Sequence, residues 1–426
     1  MKITLTEVLD KVETAFPPLR ETARLVLTVA ATTRLNREHP LAVILIGAPS
    51  SGKTSLLMPL TKGKKDSALA SSVLRIDDFT PASLVSHASN KTPEQLAKID
   101  LLPRMSTKCV IVKEMAPMFT GKDEDLMKKF GIFASILDGE GYISSSGSYG
   151  TRGYDEKITF SLLGAVTPEV LTQKVYNSLS AIGPRFCFWE MPPQKLDPIK
   201  WRGPSSDRKQ IEADAVQAVV NFMEAIFNEN PPGSIDRNKF SISEGSRETL
   251  SHIASLMALL RSKLSYERED DGSFSQSGAS TESPDRAFRY LEQLVLGSAF
   301  IEGRFEICDR DLVLALGVAL GSTVPKLRRV IRLFFTSDQP RSTHDICAYL
   351  SLTDDTAAKY AAQLCSLEVI SKVNIDGTTL WDLKSPFREL RHLLAIPEVG
   401  SPLASDPPLN IPHVVSPGLF DFEDTP

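Results

Sequence analysis

Long apolar runs are what this sequence most clearly lacks. None approaches the roughly 20 residues that a helix needs to cross a bilayer, and the stretch from Met1 to Glu7 contains no apolar segment of signal-peptide length. These absences argue against a helical membrane protein and against an ordinary secretion leader. We therefore expect an intracellular, cytoplasmic protein that makes no membrane contacts.

Closely spaced cysteines and a surplus of positive charge are missing as well. The five cysteines are scattered through 426 residues without CxxC or CxxH spacing, so we expect reduced thiols and neither a disulfide framework nor a zinc site. The net charge is −5, which gives no overall basic field for nucleic acid. Any contact with nucleic acid must therefore come from a local patch.

One motif stands out against these absences, a loop bounded by two glycines. It follows the apolar run 41–46 and precedes a helix-like run at 55–58. The loop and the residue after it are Gly47, Ala48, Pro49, Ser50, Ser51, Gly52, Lys53, Thr54 and Ser55. A G-x-x-x-x-G-K-[ST] sequence between a buried strand and a helix is typical of a phosphate-binding loop.

The residues of this loop suit the β- and γ-phosphates of ATP. Backbone N–H groups at a helix start bind phosphate oxygens, Lys53 adds a positive charge, and the Thr54 hydroxyl is a ligand for Mg²⁺. An ordinary glycine turn with a surface lysine is the alternative. The strand before the loop and the helix after it favour a site for ATP and Mg²⁺.

The rest of the chain divides by its pattern into five parts. Apolar strand-like runs alternate with helical patterns over residues 41–195, which indicates an α/β domain with a mostly parallel sheet. We expect an N-terminal helical segment at 1–40, a nucleotide-binding domain at 41–195, a helical lid at 196–322, a winged-helix domain at 323–385 and a disordered tail at 386–426. The first segment should pack on the nucleotide-binding domain.

Polar residues follow three of the predicted strands, where open parallel sheets bind their ligands. Asp77 and Asp78 end the second strand-like run, Glu114 follows the third, and Thr167 follows the fourth. A P-loop ATPase needs an acid near the loop to hold the Mg²⁺ shell or to activate water. Glu114 is our candidate for either role or both, with Asp77 or Asp78 sharing it.

The residue before Glu114 departs from the usual pattern. Four apolar residues followed by Asp-Glu are typical, but Lys113 occupies the Asp position in this chain. Glu114 could then be an ordinary solvated acid at a strand end. Nucleotide binding is therefore predicted more firmly than hydrolysis.

Two further features favour an oligomer that contacts DNA. Arg185 precedes an apolar run, and an arginine at a domain edge can reach the γ-phosphate in a neighbouring subunit. The segment 139–157 is dense in Gly, Ser and Tyr, which predicts a hairpin that offers Tyr149, Arg152 and Lys157 to a nucleic-acid strand. A salt-bridged surface arginine and a structural loop are the alternatives.

The helical region contains a second candidate for contact with nucleotide. Residues 267–283 are polar and rich in Gly and Ser, so we expect a mobile loop between helices. Ser283 and Pro284 can start the next helix, as cap and first residue. Arg286 and Arg289 lie in about its first turn, and one of them is expected to face nucleotide.

The C-terminal part shows the pattern of a winged helix. Three helix-like segments and two strand-like runs joined by Asp376 and Gly377 indicate this small fold. The third helix offers only Lys359 as a cation, so DNA and a protein partner remain equal alternatives. In the Pro-rich tail, residues 418–424 place three apolar side chains among acids, which suits a docking peptide or arises by chance.

The order of these motifs resembles the AAA+ class of P-loop ATPases over roughly residues 41–384. It is most similar to minichromosome-maintenance-like and phage or mobile-element replication helicases. The resemblance places Glu114 in the second acidic motif, the hairpin before the first sensor strand, Thr167 at the sensor position, Arg185 as the arginine finger and Arg286 as the second-sensor arginine. Thr167 replaces the usual Asn and Lys113 the usual Asp, and both departures touch the hydrolysis machinery.

This resemblance implies a ring-forming ATPase, with a hexamer among the expected sizes, that unwinds, remodels or loads on DNA in replication or on mobile-element DNA. The rival hypothesis is a regulator that binds ATP, hydrolyses it slowly or not at all, and signals through the winged helix to DNA or protein. Lys113 favours the regulator, whereas Arg185 and the hairpin favour the motor.

Overall fold

A parallel β-sheet forms the centre of the protein. The computed structural model describes residues 3–77, 80–87, 91–146, 150–183, 185–193, 205–268, 274–375 and 377–395. In chain order, the strands of the first half are β1 (Leu41–Ile46), β2 (Val73–Arg75), β3 (Cys109–Val112), β4 (Tyr142–Ser146), β5 (Gly150–Tyr154), β6 (Ser161–Val166) and β7 (Phe186–Glu190). Five of them form the central sheet, and β4 pairs with β5 as a separate antiparallel hairpin.

The central sheet has the strand order β2-β3-β6-β1-β7, and every neighbouring pair is parallel. All five strands therefore point their carboxyl ends to one edge, which we call the loop edge. The other, where the strands begin, is the opposite edge. The predicted α/β architecture with a parallel sheet is confirmed.

Helices cover both faces of this sheet. Those between the strands are α3 (Lys53–Leu57), α4 (Ala68–Ser72), α5 (Pro81–Leu84), α6 (Pro93–Ile99), α7 (Leu101–Met105), α8 (Ala116–Phe119), α9 (Asp123–Leu137) and α10 (Gln173–Ile182), and α1 (Leu5–Ala15) and α2 (Arg20–Ala31) precede them. Because successive side chains of a strand point to opposite faces, Val43 and Leu45 join one apolar core and Ile44 and Ile46 the other. All six residues of β1 are buried, as expected for a strand covered on both sides.

The N-terminal helices pack on the body of the protein. Thr4 begins α1 through a reciprocal capping box with Glu7, and α1 lies against the long helix α11 (Ser205–Glu229). Helix α2 contacts β6, and the Thr22 hydroxyl accepts a 3.1 Å hydrogen bond from the indole of Trp189 in β7. The expectation that residues before β1 pack on the sheet domain is met.

Three helices beyond α11 continue the same core. They are α12 (Glu244–Leu260), α13 (Pro284–Ile301) and α14 (Asp309–Gly321). Helix α14 packs directly on β7, where a Cβ on Gly317 would lie 2.5 Å from the Trp189 ring. The region 205–321 therefore shares one apolar core with a face of the sheet.

The expectation of a mobile loop at 267–283 is wrong for the described part of that segment. Strands β8 (Lys263–Arg268) and β9 (Phe274–Ser280) pair as an antiparallel ribbon. Low apolar content concealed them, because the pairing of a two-stranded ribbon rests on backbone hydrogen bonds and needs no apolar run. The predicted helix does begin after Ser283, whose side chain accepts from the Asp285 N–H.

The C-terminal part has the predicted order of three helices and a hairpin. These are α15 (Pro325–Phe335), α16 (Thr343–Leu350), α17 (Asp354–Ser366), β10 (Ile370–Ile375) and β11 (Thr378–Leu383), followed by α18 (Ser385–Arg388). Buried Asp382 joins β11 to the segment that follows it: it accepts a 2.8 Å hydrogen bond from Arg391 and pairs with Arg388 of α18 at 2.8 Å. Residues 396–426, with the predicted docking peptide 418–424, lie outside the described residues.

Within the described ranges, no helix is both long enough and apolar enough to cross a membrane.

Candidate functional site

The glycine-bounded loop lies at the loop edge, between β1 and α3. Ser50 and Gly52 both have positive φ angles, 61° and 86°, a backbone conformation found in turns that gather N–H groups around an anion. Within this loop, the Ser51 N–H donates to the Ala48 carbonyl at 3.2 Å. A Cβ on Gly47 would lie 2.5 Å from the Ser51 hydroxyl oxygen. A side chain at position 47 would therefore force Ser51 to shift, and the positive φ at position 52 favours glycine. Such a nest of N–H groups suits an anion.

The ammonium group of Lys53 is folded into this loop. It donates to the carbonyl oxygens of Gly47 and, at 2.8 Å, of Ala48, and its side chain is buried. Burial lowers the pKa of Lys53, and the charges of Glu114 and Glu169 partly offset this effect. No carboxylate in the described ranges comes within ion-pair distance of the Lys53 ammonium. The loop thus holds a positive charge whose partners are carbonyl oxygens.

Thr167 and Glu114 lie beside the loop, as predicted. Strand β6 pairs with β1, and the N–H of Gly47 donates to the carbonyl of Val166, so Thr167 is next to the start of the loop. Glu114 follows β3, the next strand beyond β6, and its carboxylate accepts from the Ala116 N–H at 3.0 Å. Thr167 therefore stands between the loop and Glu114.

The acids that follow β2 are less available than expected. The Asp77 carboxylate pairs with Arg75 at 2.8 Å and with Lys113 at 3.3 Å, at the exposed end of the sheet. These hydrogen bonds hold the pKa of Asp77 below its usual range. The lysine in the usual Asp position therefore neutralises Asp77. Asp78 lies outside the described residues.

Two residues of the loop surroundings were missed from the sequence. Glu169 lies in the short turn after Thr167, and its charge acts on Lys53. The Met191 sulfur, at the end of β7, is 4.0 Å from the Ser51 hydroxyl. Glu169 could have been found from the sequence, because it follows the strand-end residue Thr167 by only two positions. No sequence feature points to Met191 as a neighbour of the loop.

Arg185 lies at the opposite edge of the sheet. It immediately precedes β7, and β7 spans about 13 Å between its first and last residues. The guanidinium forms a two-point ion pair with Asp138, with contacts of 2.7 and 3.2 Å, and donates to the Gly183 carbonyl at 2.7 Å. Within its own chain, Arg185 is therefore far from the glycine loop and held by Asp138.

Arg286 and Arg289 also lie at the opposite edge, so the structure does not bring them to the loop of their own chain. A Cβ on Gly183 would lie 2.9 Å from guanidinium nitrogens of both Arg185 and Arg286. Arg286 pairs with Glu282 at 3.3 Å, and with Arg289 it lines a cavity of about 490 Å³ beside Asp138. The sequence could not show this, because the packing of α13 on the body sets where its first turn lies.

The predicted hairpin is present, but Arg152 is engaged within it. Its guanidinium pairs with buried Asp100 at 2.6 Å and donates to the carbonyl of Ser86, and the Tyr154 hydroxyl donates to the same carboxylate at 2.6 Å. Burial alone would raise the pKa of Asp100, but these hydrogen bonds outweigh it and hold that pKa below its usual range. Arg152 is therefore an anchor and is not offered to a DNA strand in this arrangement.

Lys157 and Tyr149 are the other two hairpin residues that were predicted to contact nucleic acid. Lys157 is exposed and lies 3.7 Å from Glu38. Tyr149 is outside the described residues. Ile143 is 56% exposed, so the outer face of the hairpin carries an apolar side chain that the sequence analysis did not single out.

The loop residues fit a nucleotide triphosphate with Mg²⁺. The turned N–H groups and Lys53 match phosphate oxygens. The exposed Thr54 hydroxyl and half-buried Glu114 supply oxygen atoms of the kind that Mg²⁺ prefers. In the described ranges no three His, Cys, Asp or Glu side chains cluster around a metal position. Phosphate oxygens and water would have to complete such a shell.

No family model and no curated protein matches this chain.

Proposed function

We propose that this protein is an AAA+ P-loop ATPase that couples ATP hydrolysis to the unwinding or remodelling of DNA or to the loading of a helicase onto DNA. The observation that carries the proposal is the distribution of polar residues over the two edges of one sheet. The glycine loop, Thr167 and Glu114 share the loop edge, and Arg185 and Arg286 share the opposite edge. A site divided in this way is complete only where two subunits meet.

At the loop edge, each residue has a defined part in hydrolysis. The N–H groups of the loop and Lys53 bind the β- and γ-phosphates. Thr54 and Glu114 would hold Mg²⁺, which neutralises phosphate charge when it is bound. Glu114 accepts a proton from, or orients, the attacking water, and Thr167 donates a hydrogen bond towards the γ-phosphate.

At the opposite edge, Arg185 acts on the nucleotide of a neighbouring subunit. Arg286 joins it there, because both guanidinium groups meet at Gly183. Two cations at one subunit edge would stabilise the charge that develops on the transferred phosphoryl group. The ion pair with Asp138 holds Arg185 in place until a phosphate competes for it. We infer a homo-oligomeric ring, with a hexamer as one size to test.

The C-terminal elements and the hairpin are the proposed contacts with DNA. The order of three helices and a two-stranded hairpin from Pro325 to Leu383 supports a winged helix. The hairpin β4–β5 stands outside the central sheet and is anchored by Asp100. Lys157 remains its exposed cation among the described residues.

A regulator that binds ATP but hydrolyses it slowly is the second candidate. The salt bridges of Asp77 with Lys113 and Arg75 favour it, because they neutralise an acid that could otherwise share the work of Glu114. Such a protein would switch conformation with nucleotide and signal through the C-terminal elements.

Steady-state ATP turnover of the full chain, measured alone and with single-stranded or duplex DNA, tests the proposal. We expect DNA to stimulate turnover and Glu114→Gln to lower it by about 100-fold or more while ATP still binds. Glu248→Gln, which removes an exposed charge on α12, should retain most of the activity. If the unchanged protein binds ATP tightly but does not hydrolyse it, the motor hypothesis is contradicted and the regulator hypothesis is supported.

A further inference from the structure

A cleft of about 430 Å³ separates the sheet domain from the C-terminal elements. One wall is α10, the helix that connects Thr167 at the loop edge with Arg185 at the opposite edge. The other walls are the start of β8, the first turn of α15 and one face of α17. Residues from four parts of the chain therefore meet around one opening.

The charges on these walls have a single sign. Lys263 from β8, Lys326 from α15 and Lys359 from α17 line the cleft, and all three are exposed. No acidic residue lines it within the described ranges, and none of the three lysines lies in a described ion pair. Lys359 is the only cation of its helix, yet the fold places two more lysines around the same cleft. The result is a concave site that attracts anions.

The neutral lining residues suit a nucleic-acid backbone. Asn177 on α10 and Thr356 and Gln363 on α17 provide amide and hydroxyl groups, which commonly bind phosphate and sugar oxygens. Tyr360 adds a half-buried aromatic ring, a surface on which a base can stack.

We propose that this cleft binds the sugar–phosphate backbone of single-stranded DNA. The inference rests on the proposed function for its choice of DNA and extends it by naming where the strand runs. The acids Asp354 and Asp355 at the start of α17 are not among the lining residues, so the charges on the cleft wall itself are those of the three lysines. Because α10 also ends near both edges of the sheet, a strand in the cleft contacts the element that joins the two half-sites.

Fluorescence anisotropy of the full chain with a labelled 20-nucleotide oligothymidine, without ATP, tests this site. The variant is Lys263→Glu with Lys359→Glu, which reverses one charge on each of two walls. The matched control is Lys11→Glu with Lys209→Glu, exposed lysines on α1 and α11 that make the same change in net charge away from the cleft. Circular dichroism verifies that every variant is folded.

We expect the unchanged protein to bind and the cleft variant to lose at least about tenfold in affinity. The dependence of log affinity on log salt concentration should become shallower by about 0.7 for each lost phosphate contact. The control pair should stay within about twofold of the unchanged protein.

Equal losses in the cleft and control pairs would overturn the inference, as would full affinity in the cleft variant or no strand binding by the unchanged protein. A labelled poly-glutamate peptide that binds in place of the strand, with the same lysine dependence, would also overturn it and assign the cleft to an acidic partner. If any of these results is obtained while ATP turnover still requires Lys53, only the cleft inference has failed and the proposed function stands. If the protein shows no ATP turnover but still binds the strand through these lysines, the cleft inference stands and the proposed ATPase activity is wrong.

Discussion

At the scale of single residues, the position of Lys53 makes a direct prediction about nucleotide binding. Its ammonium is bonded to two loop carbonyls and would exchange these partners for phosphate oxygens. Hydrogen bonds to charged groups contribute about 1.5–3 kcal/mol each, so Lys53→Ala should weaken ATP binding by about 10- to 100-fold. Isothermal titration calorimetry measures this directly.

The control for this change is Lys65→Ala, which removes an exposed lysine from the segment after α3. It should bind ATP as the unchanged protein does. Equal binding by Lys53→Ala and Lys65→Ala would mean that the loop does not hold phosphate.

Some site residues could be predicted from the sequence for a simple geometric reason. Residues that follow parallel strands share an edge, so Gly47, Glu114 and Thr167 were expected together and are found together. The anchor of Arg152 could not be predicted, because its partner Asp100 lies 52 residues earlier and the two meet only through the folded body. Arg185, which precedes β7, and Arg286, which lies in α13, likewise come together only in the folded protein.

At the scale of elements, the hairpin β4–β5 depends on the carboxylate of Asp100. Asp100→Asn leaves the guanidinium of Arg152 without its charged partner and should destabilise the protein by about 3 kcal/mol at neutral pH. Burial and the hydrogen bond to Asp100 raise the pKa of Tyr154 to about 12, so Tyr154 stays a donor throughout the neutral range.

The pH dependence of this anchor has a defined sign. The pKa of Asp100 is lowered by folding, so its stabilisation is present above the unfolded pKa of about 3.9 and is lost as pH falls through the lower folded value. The difference in melting temperature between the unchanged protein and Asp100→Asn should therefore be full near pH 7 and narrow below about pH 4. Asp155→Asn, an exposed neighbour of the hairpin, should show no comparable difference. A gap that stays constant down to pH 3 would contradict the assignment.

The contact between α14 and β7 makes a second prediction at this scale. A Cβ on Gly321 would collide with the backbone carbonyl of Phe188, which cannot move without disturbing the sheet. Gly321→Ala should therefore cost about 1–3 kcal/mol of unfolding free energy. Chemical denaturation measures the change.

Gly131 in α9 provides the matched comparison, because a Cβ there meets no atom within 4 Å. Gly131→Ala should stabilise the protein by about 0.5–1 kcal/mol, as alanine usually does inside a helix. If both substitutions proved equally harmless, α14 would not lie as close to β7 as described.

Strands could be predicted where burial requires a continuous run of apolar residues. Strands β1 and β3 are buried on both sides and appear as continuous apolar runs. Strands β8 and β9 form a two-stranded ribbon with little apolar content, so the same criterion missed them.

At the scale of the whole molecule, the two edges of the sheet divide the work. In the proposed function the loop edge binds and orients nucleotide, and the opposite edge presents Arg185 and Arg286 about one strand length away. One chain alone therefore cannot bring both sets of groups to a single phosphate. This is the physical reason to propose a ring, in which each opposite edge meets the loop edge of its neighbour.

ATP turnover in mixtures of two inactive variants tests the shared site most directly. Arg185→Ala keeps an intact loop edge, and Glu114→Gln keeps an intact opposite edge. In a mixed assembly, the loop edge of Arg185→Ala meets the Arg185 of a Glu114→Gln neighbour. If the site is shared between subunits, each variant alone is nearly inactive and mixing restores measurable turnover, greatest near equal proportions. Turnover that stays at the level of the separate variants at every ratio, although the variants co-assemble, would contradict a site shared between subunits.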